Sequence, residues 1–190
     1  MRADQQHNQL RIIAGSWRGR KLCFAPVPGV RPTPNRVRET LFNWLQPVIR
    51  GARCLDLYAG SGALGIEAAS RGAASVVLVD RDPQVVRTLR EQLRVLAADQ
   101  VQVQLADVGT WLSGTPQMFD IVFLDPPFRA GLLPAAVRQL EAGGWLAPEA
   151  WIYMEAEPGL VPELPGNWEL YRSKRAGQVG YHLARRRAAG

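Results

Sequence analysis

Cys54-Leu55-Asp56-Leu57-Tyr58-Ala59-Gly60-Ser61-Gly62-Ala63-Leu64-Gly65 reads as a short strand, a glycine turn and the opening of a helix. The glycines keep the spacing Gly60-x-Gly62-x-x-Gly65, and Asp80 stands 20 residues beyond Gly60. Glycines at this spacing let the backbone turn sharply and approach a ligand closely, and the helix start beyond them offers free N–H groups. A nucleotide-like cofactor over this loop is the expectation; a turn that serves packing alone is the bland alternative. Asp56 bears on which cofactor. A carboxylate at the strand end repels the pyrophosphate of NAD and suits a cation, which favours S-adenosylmethionine, a sulfonium with an ammonium and no phosphate. Asp80, ending the run Val76-Val77-Leu78-Val79, can accept from both ribose hydroxyls of either cofactor. Asp107 can accept from an adenine amine or serve as a helix N-cap.

Outward from this loop the chain alternates. Ala63–Ser70 is helix-prone, Ser75–Val79 is an apolar strand, and Val85, Val86, Leu89, Leu93 and Leu96 form a helical stripe. Val101–Leu105 and Phe119–Leu124 are strands, Leu132–Leu140 is helical, and Trp151–Met154 is a strand. Residues 168–174 and 178–184 close the series around Ala176-Gly177. This order implies an α/β fold with a doubly wound, Rossmann-like, mostly parallel sheet that takes ligands at its carboxyl edge. Upstream, Leu10–Ala14 and Arg20–Phe24 flank Gly15-Ser16-Trp17-Arg18-Gly19, a small N-terminal β-hairpin. The expected division is 1–30 as a hairpin extension and 31–190 as the main domain. A proline-rich connector follows the hairpin, then a helix with Thr33 as N-cap and Pro34 in its first turn. Trp17 can pack on the sheet or stack on a partner. His7 and His182 have no partner at useful spacing.

Phe123-Leu124-Asp125-Pro126-Pro127-Phe128 is the sharpest feature. Two successive prolines lack backbone N–H groups and stop the strand. Asp125 is then presented at the sheet's carboxyl edge with Phe128 at the lip. An exocyclic amine on a base is a poor nucleophile because its lone pair is delocalised into the ring. Hydrogen bonds to Asp125 and to a carbonyl of the Pro-Pro turn draw that lone pair out of conjugation, so nitrogen can attack a sulfonium methyl in line. Positioning and electrostatic fit supply much of the rate. The base must leave its stack, and Phe128 offers it a face.

Composition narrows the class. The 190 residues are 47% hydrophobic, enough for one globular core. Net charge is +6, unevenly spread: residues 1–54 hold ten Lys/Arg against two Asp/Glu, residues 55–170 hold seven against fifteen, and residues 171–190 hold six against none. Basic ends around an acidic middle point to phosphate-bearing partners, whose counterions are released on binding. The bland reading is a solvated basic surface. No apolar run reaches membrane length, and Met1–Leu10 has no apolar core of a signal peptide. Cys23 and Cys54 have no neighbours at metal spacing. A cytoplasmic monomer without membrane or metal is expected.

Asp56-x-Tyr58-Ala59-Gly60-Ser61-Gly62, Asp80, Asp107 and Asp125-Pro126-Pro127-Phe128 resemble motifs I to IV of class I methyltransferases acting on amino groups. Arg11-Ile-Ile-Ala-Gly-x-x-Arg18-Gly-Arg20-x-Leu22 and Arg31-Pro-Thr33-x-x-Arg36-Val-Arg38-Glu39-Thr-Leu-Phe-Asn-Trp-Leu45 resemble the RsmD-like enzymes, bacterial methyltransferases of guanine N2 in 16S ribosomal RNA. The resemblance spans Leu10 to about Leu183. It implies S-adenosylmethionine as cofactor, held by Thr33, Arg38, Glu39, Asp56, Tyr58, Gly60, Ser61, Gly62, Asp80, Arg81, Asp107 and Asp125. It implies that Asp125, Pro126, Pro127 and Phe128 carry the transfer. It implies that Arg18, Arg20, Lys21, Arg36, Lys174 and Arg175 grip 16S RNA, within the small subunit or an assembly intermediate. Arg185-Arg186-Arg187 is expected as a frayed basic tail. Three other readings stay open: a DNA adenine-N6 methyltransferase using the same Asp125 site, an NAD redox enzyme on the same fold, and a non-catalytic RNA-binding assembly factor.

Overall fold

A computed structural model describes residues 8–188. His7, most of the polar Met1–Leu10 segment and the outer ends of the 1–30 and 31–190 divisions lie outside them. The chain runs β1 (Gln9–Arg11), β2 (Lys21–Cys23), α1 (Asn35–Leu45), β3 (Arg53–Leu57), α2 (Ala63–Ser70), β4 (Ser75–Asp80), α3 (Pro83–Leu96), β5 (Val101–Leu105), α4 (Val108–Leu112), β6 (Phe119–Leu124), α5 (Leu132–Ala142), β7 (Leu146–Ala156), β8 (Trp168–Ala176) and β9 (Val179–Arg186). Seven strands form one sheet in the order β5-β4-β3-β6-β7-β9-β8. The pairs from β5 to β7 are parallel, and β9 adds antiparallel to β7 and β8.

Strand alternation divides the core into two layers. Cys54, Val76 and Leu78 face α1, α2 and α3, whose buried residues include Leu41, Ile66 and Leu89. Leu55, Leu57, Val77 and Val79 face α4 and α5, with Val108, Val137 and Leu140. The apolar stripe of α3 is buried from Val85 to Leu96 as its spacing predicts. Asp82 caps that helix by accepting from the Gln84 and Val85 N–H groups. No helix among the described residues is long and apolar enough to cross a membrane.

Several elements depart from the sequence reading. The hairpin strands are three residues each, because Gly15–Gly19 is docked onto α2. The Ser16 N–H donates to the Ser70 carbonyl at 2.8 Å, and the Trp17 N–H donates to Ser70 Oγ at 3.0 Å. A Cβ on Gly15 (φ +82°) would sit 1.8 Å from the Ser70 carbonyl oxygen, so glycine is required at this approach. The turn thus satisfies one carbonyl and the Ser70 hydroxyl at the end of α2. Trp17 packs half-buried against the first core layer, alongside Leu10, Ile12 and Leu22. Helix α1 starts at Asn35 behind Pro34, with no side-chain cap. Thr33 is not the N-cap, because its hydroxyl is engaged elsewhere. Nor is the arginine run frayed: Arg185, Arg186 and Arg187 pair with Glu149, Glu141 and Glu169.

Candidate active site

The centre of the sheet builds the site. β3 lies between β4 and β6, the point where the winding reverses and the strand ends diverge into a crevice. Leu57 pairs with both Val79 and Leu124, so the glycine loop, Asp80 and Asp125 leave three adjoining strands at one level. Tyr58 carries a φ of +65°, and Gly60 and Gly62 carry +53° and +75°. A non-glycine residue in this region is strained, and the loop's own bonds hold it there. The Gly60 N–H donates to Asp80 Oδ2 at 2.9 Å, and the Asp82 N–H donates to Asp80 Oδ1 at 2.9 Å. Each Asp80 oxygen keeps a lone pair for a ribose hydroxyl.

Gly65 serves packing. A Cβ there would lie 2.2 Å from Leu78 Cδ2 and 3.0 Å from Asp56 Oδ2. Its N–H donates to that same Asp56 oxygen at 2.8 Å. Asp56 is therefore buried beneath the loop, tying α2 to β3, rather than presented on the loop's outer surface. Burial pushes its carboxyl up to about 8, against the Gly65 bond that lowers it.

Asp125 follows β6, above buried Pro126 and beside Phe128, which is 42% exposed at the lip. On the next strand Met154 pairs with Leu124, which sets Glu155 beside Asp125. Glu155 is 4% exposed. Thr33 Oγ1 donates to its Oε1 at 2.8 Å and the Tyr153 hydroxyl donates at 2.9 Å. The Asp125 carboxyl hydrogen-bonds Glu155 as well. Burial, the Glu155 charge and then Asp56 raise Asp125 well above the usual carboxylate range. Glu155 and Tyr153 were not legible as site residues. The available signal was an acid closing the apolar run Trp151-Ile-Tyr-Met154 at the carboxyl end of a strand beside Asp125.

The remaining expected site residues divide. Asp107 caps α4, accepting from the Thr110 N–H at 3.1 Å, and is exposed. Tyr58 lies near it; burial and then the Asp107 charge push its phenol up to about 12. Ser61 is buried, with its Oγ accepting from the Ala63 N–H. Arg81 and Glu39 are exposed. Arg38 departs most: it is 1% exposed and bonds Glu67 at 3.4 Å, the Arg11 carbonyl at 3.0 Å and Asn35. Glu67 in turn accepts from the Ile13 and Ala14 N–H groups and from Arg71. This buried knot clamps the hairpin, α1 and α2 together, a structural duty the motif does not reveal. Arg18, Arg20, Lys21, Arg36, Lys174 and Arg175 are all exposed. A cavity of about 330 Å³ lies between the hairpin and α1, lined by Arg11, Lys21, Thr33, Asn35 and Arg38 among others. Thr33 thus joins this basic cavity to the Asp125–Glu155 pair.

Comparison with known proteins agrees with this geometry. The family model described as "Conserved hypothetical protein 95" matches residues 10–185. "Ribosomal RNA small subunit methyltransferase D" of Escherichia coli (strain K12) is 52% identical over 185 residues, 96% of this chain and 92% of that protein. The solved structure of Escherichia coli yhhF superposes with a TM-score of 0.88 at 52% identity, covering 95% of this chain and 99% of that one. The Thermus thermophilus 16S rRNA N2 G1207 methyltransferase (RsmC), solved with AdoMet and guanosine, gives a TM-score of 0.69 at 25% identity, covering 94% of this chain and 50% of that one. The residues present fit such a cofactor. Asp56 and Glu155 are buried and Asp125 is half-buried beside them. The Glu155 charge raises the proton affinity of both aspartates and the Asp56 charge raises that of Asp125, and a ligand carrying an ammonium and a sulfonium relieves that repulsion.

Proposed function

Since the chain belongs to the conserved hypothetical protein 95 family, the RsmD-like S-adenosylmethionine-dependent methyltransferases, we propose that its methyl acceptor is the N2 amine of a guanine in 16S ribosomal RNA. The observation that carries this reading is the pairing of Leu57 with Leu124, from which the glycine loop and Asp125-Pro126-Pro127-Phe128 rise side by side. Bound S-adenosylmethionine supplies an electrophilic methyl on a sulfonium. Gly60 and Gly62 let the backbone approach it, Asp80 takes the ribose hydroxyls, and the carboxyl cluster faces its cationic end. Asp107 and Tyr58 flank the adenine side. A guanine swung out of its stack lies on Phe128. Asp125 and a carbonyl of the Pro126-Pro127 turn accept the two N2 hydrogens and direct the nitrogen lone pair at the methyl. The contribution of these residues is orientation and charge fit.

The same reading assigns 1–30 as the RNA-contacting segment and 31–190 as the catalytic one. Arg18, Arg20 and Lys21 take phosphates on the hairpin side, Arg36 on α1, and Lys174 and Arg175 from the end of β8. The cavity that Lys21 and Thr33 share supports this arrangement, since its Thr33 wall donates to Glu155 of the acidic site. The test is methyl transfer from labelled S-adenosylmethionine to unmethylated 16S RNA, to small subunits assembled on it, and to duplex DNA, with the labelled nucleoside identified after digestion. Label in N2-methylguanosine is the expected result. Label in N6-methyladenine of DNA, or in no nucleoside, overturns the assignment.

A further inference from the structure

We propose that Glu155 is the positioning residue behind Asp125, the member of a carboxyl pair that holds the negative charge and takes a proton from Asp125 when Asp125 accepts the one lost by the target amine. The inference rests on the methyl-transfer reading above and adds to it the route of the proton.

The geometry is asymmetric. Glu155 Oε1 accepts from Thr33 Oγ1 at 2.8 Å and from the Tyr153 hydroxyl at 2.9 Å. Asp125 has no such pair of neutral donors, and its own hydrogen bond runs to Glu155. Two carboxylates in contact do not both ionise near neutral pH. Burial raises Glu155 too, but its three hydrogen bonds oppose that, whereas burial and both neighbouring charges all raise Asp125. Glu155 is therefore the ionised partner, and Asp125 keeps the shared proton directed at it. The groups that act on the pair are Asp56 on β3, Tyr153 on β7 and Thr33 on the connector, and Tyr181 on β9 acts in turn on Tyr153. All are acidic or neutral, so a single negative charge is the state that burial permits.

The step then balances. Asp125, still protonated toward Glu155, accepts an N2 hydrogen with its free lone pairs. The N2–methyl bond forms as the methyl–sulfur bond breaks, and that electron pair stays on sulfur. Nitrogen now carries a positive charge. Its N–H bond breaks, the proton goes to an Asp125 oxygen, and the proton Asp125 held passes to Glu155. The pair ends with two protons and no charge, and one proton returns to water when the base leaves. Asp125 relays, and Glu155 supplies the charge that neutralises the amine. The Thr33 bond makes the Pro32–Pro34 connector part of this device.

Glu155→Gln separates this role from a structural one, because the amide oxygen still accepts from Thr33 and Tyr153 while the charge is gone. The first arm is a carboxyl-carbon NMR titration of the ligand-free protein, which needs no substrate. In the wild type Asp125 is expected to stay protonated through neutral pH. In E155Q its titration is expected to move down by about one pH unit or more. Asp125 titrating in the ordinary carboxylate range in the wild type, or unmoved in E155Q, overturns the pair. The second arm is single-turnover methyl transfer to 16S RNA. E155Q is expected to lose roughly tenfold or more, as proton-transfer partners do, and to be as impaired as Glu155→Ala with its fold intact by melting. Restoration by E155Q of the rate that E155A loses overturns the relay and leaves a structural hydrogen bond. If the wild type methylates no guanine, the acceptor assignment and the relay to it fall, while the titration still decides whether the pair exists.

Discussion

Leu57 and Leu124 are register partners on adjacent parallel strands. The next residues, Tyr58 and Asp125, therefore leave the sheet together, one into the cofactor loop and the other into the Pro-Pro turn. This single pairing brings two motifs far apart in sequence to one crevice edge. Asp125→Ala is expected to lower single-turnover methyl transfer by at least about 100-fold, the scale of removing one preorganised transition-state interaction. Calorimetric affinity for S-adenosylmethionine is expected to stay within a few-fold. Wild-type turnover in this variant would remove Asp125 from the chemistry.

Gly65 has no left-handed φ, so its requirement is for space alone. A methyl group there meets Leu78 Cδ2 at 2.2 Å and crowds the Asp56 oxygen that its own N–H bonds. Gly65→Ala is expected to destabilise the fold by about 1–3 kcal/mol, the usual cost of overpacking, despite alanine's better helix propensity. Urea unfolding measures it. Stability equal to the wild type would show that α2 can shift off β3 without cost.

Asp56 sets a pH dependence whose sign follows from its burial. An unperturbed carboxyl loses its proton near 3.8, and this one is pushed up to about 8. Between those values the folded chain keeps a proton that the unfolded chain has released. Rising pH therefore favours unfolding, and Asp56 contributes a loss of up to about 1.4 kcal/mol per pH unit across the window. Asp125 is raised for the same reason and acts in the same direction. Ligand-free protein is expected to lose urea stability from pH 5 to 8, and Asp56→Asn, which still accepts from Gly65, is expected to flatten that slope. Parallel slopes in the two proteins would place the titration elsewhere.

Glu67 is the hub that holds the hairpin. It accepts from Ile13, Ala14, Arg38 and Arg71 inside the first core layer. Desolvation already lowers the proton affinity of Arg38, and the Glu67 charge opposes that shift. Removing one partner of a buried ion pair strands the other. Glu67→Ala is expected to cost about 3–5 kcal/mol and to expose the amides of Ile13 and Ala14 to hydrogen exchange. Unchanged protection of those two amides would show that the Ser70 contacts suffice to dock the hairpin.

What was legible in the sequence was local. The glycine spacing, the strand before it and the helix after it lie within one continuous stretch, and Asp125-Pro126-Pro127 declares its own strand end. The alternating strands and helices gave the sheet its class for the same reason. What was hidden depends on contacts across the chain. Thr33 looked like a helix cap, because a hydroxyl before proline and a helix start has that local meaning, yet its partner is Glu155, 122 positions away. Glu155 follows an apolar strand whose sequence reading stopped at Met154, one residue short of it. Arg38 and Glu67 each look like surface charges on helices. Only the docking of the hairpin, with Ile13 bonded to Glu67 54 positions on, buries them. Asp56 was legible as an acid at the right strand end, but which way its carboxyl turned depended on the bulk of Leu78 and the closeness of Gly65.

The hairpin's charge is a separate matter from its anchoring, and it yields the last prediction. Arg18, Arg20 and Lys21 are exposed, while the residues that fix the hairpin, Leu10, Ile12 and Leu22, are buried. Replacing the three cations by glutamine should therefore leave the fold intact apart from the bond from Arg20 Nη2 to the Val95 carbonyl, an exposed contact at 3.3 Å. RNA affinity is expected to fall, and each phosphate left without its cation should reduce the slope of log K against log salt by roughly 0.7 to 0.9. Filter binding of 16S RNA across a salt series reads both. A triple variant with a lower slope and an unchanged melting temperature places the hairpin on the RNA. An unchanged slope would move the phosphate contacts to the Arg36 and Lys174–Arg175 side of the cleft, and the basic hairpin surface would then be a solvated face whose only role is to cover α2.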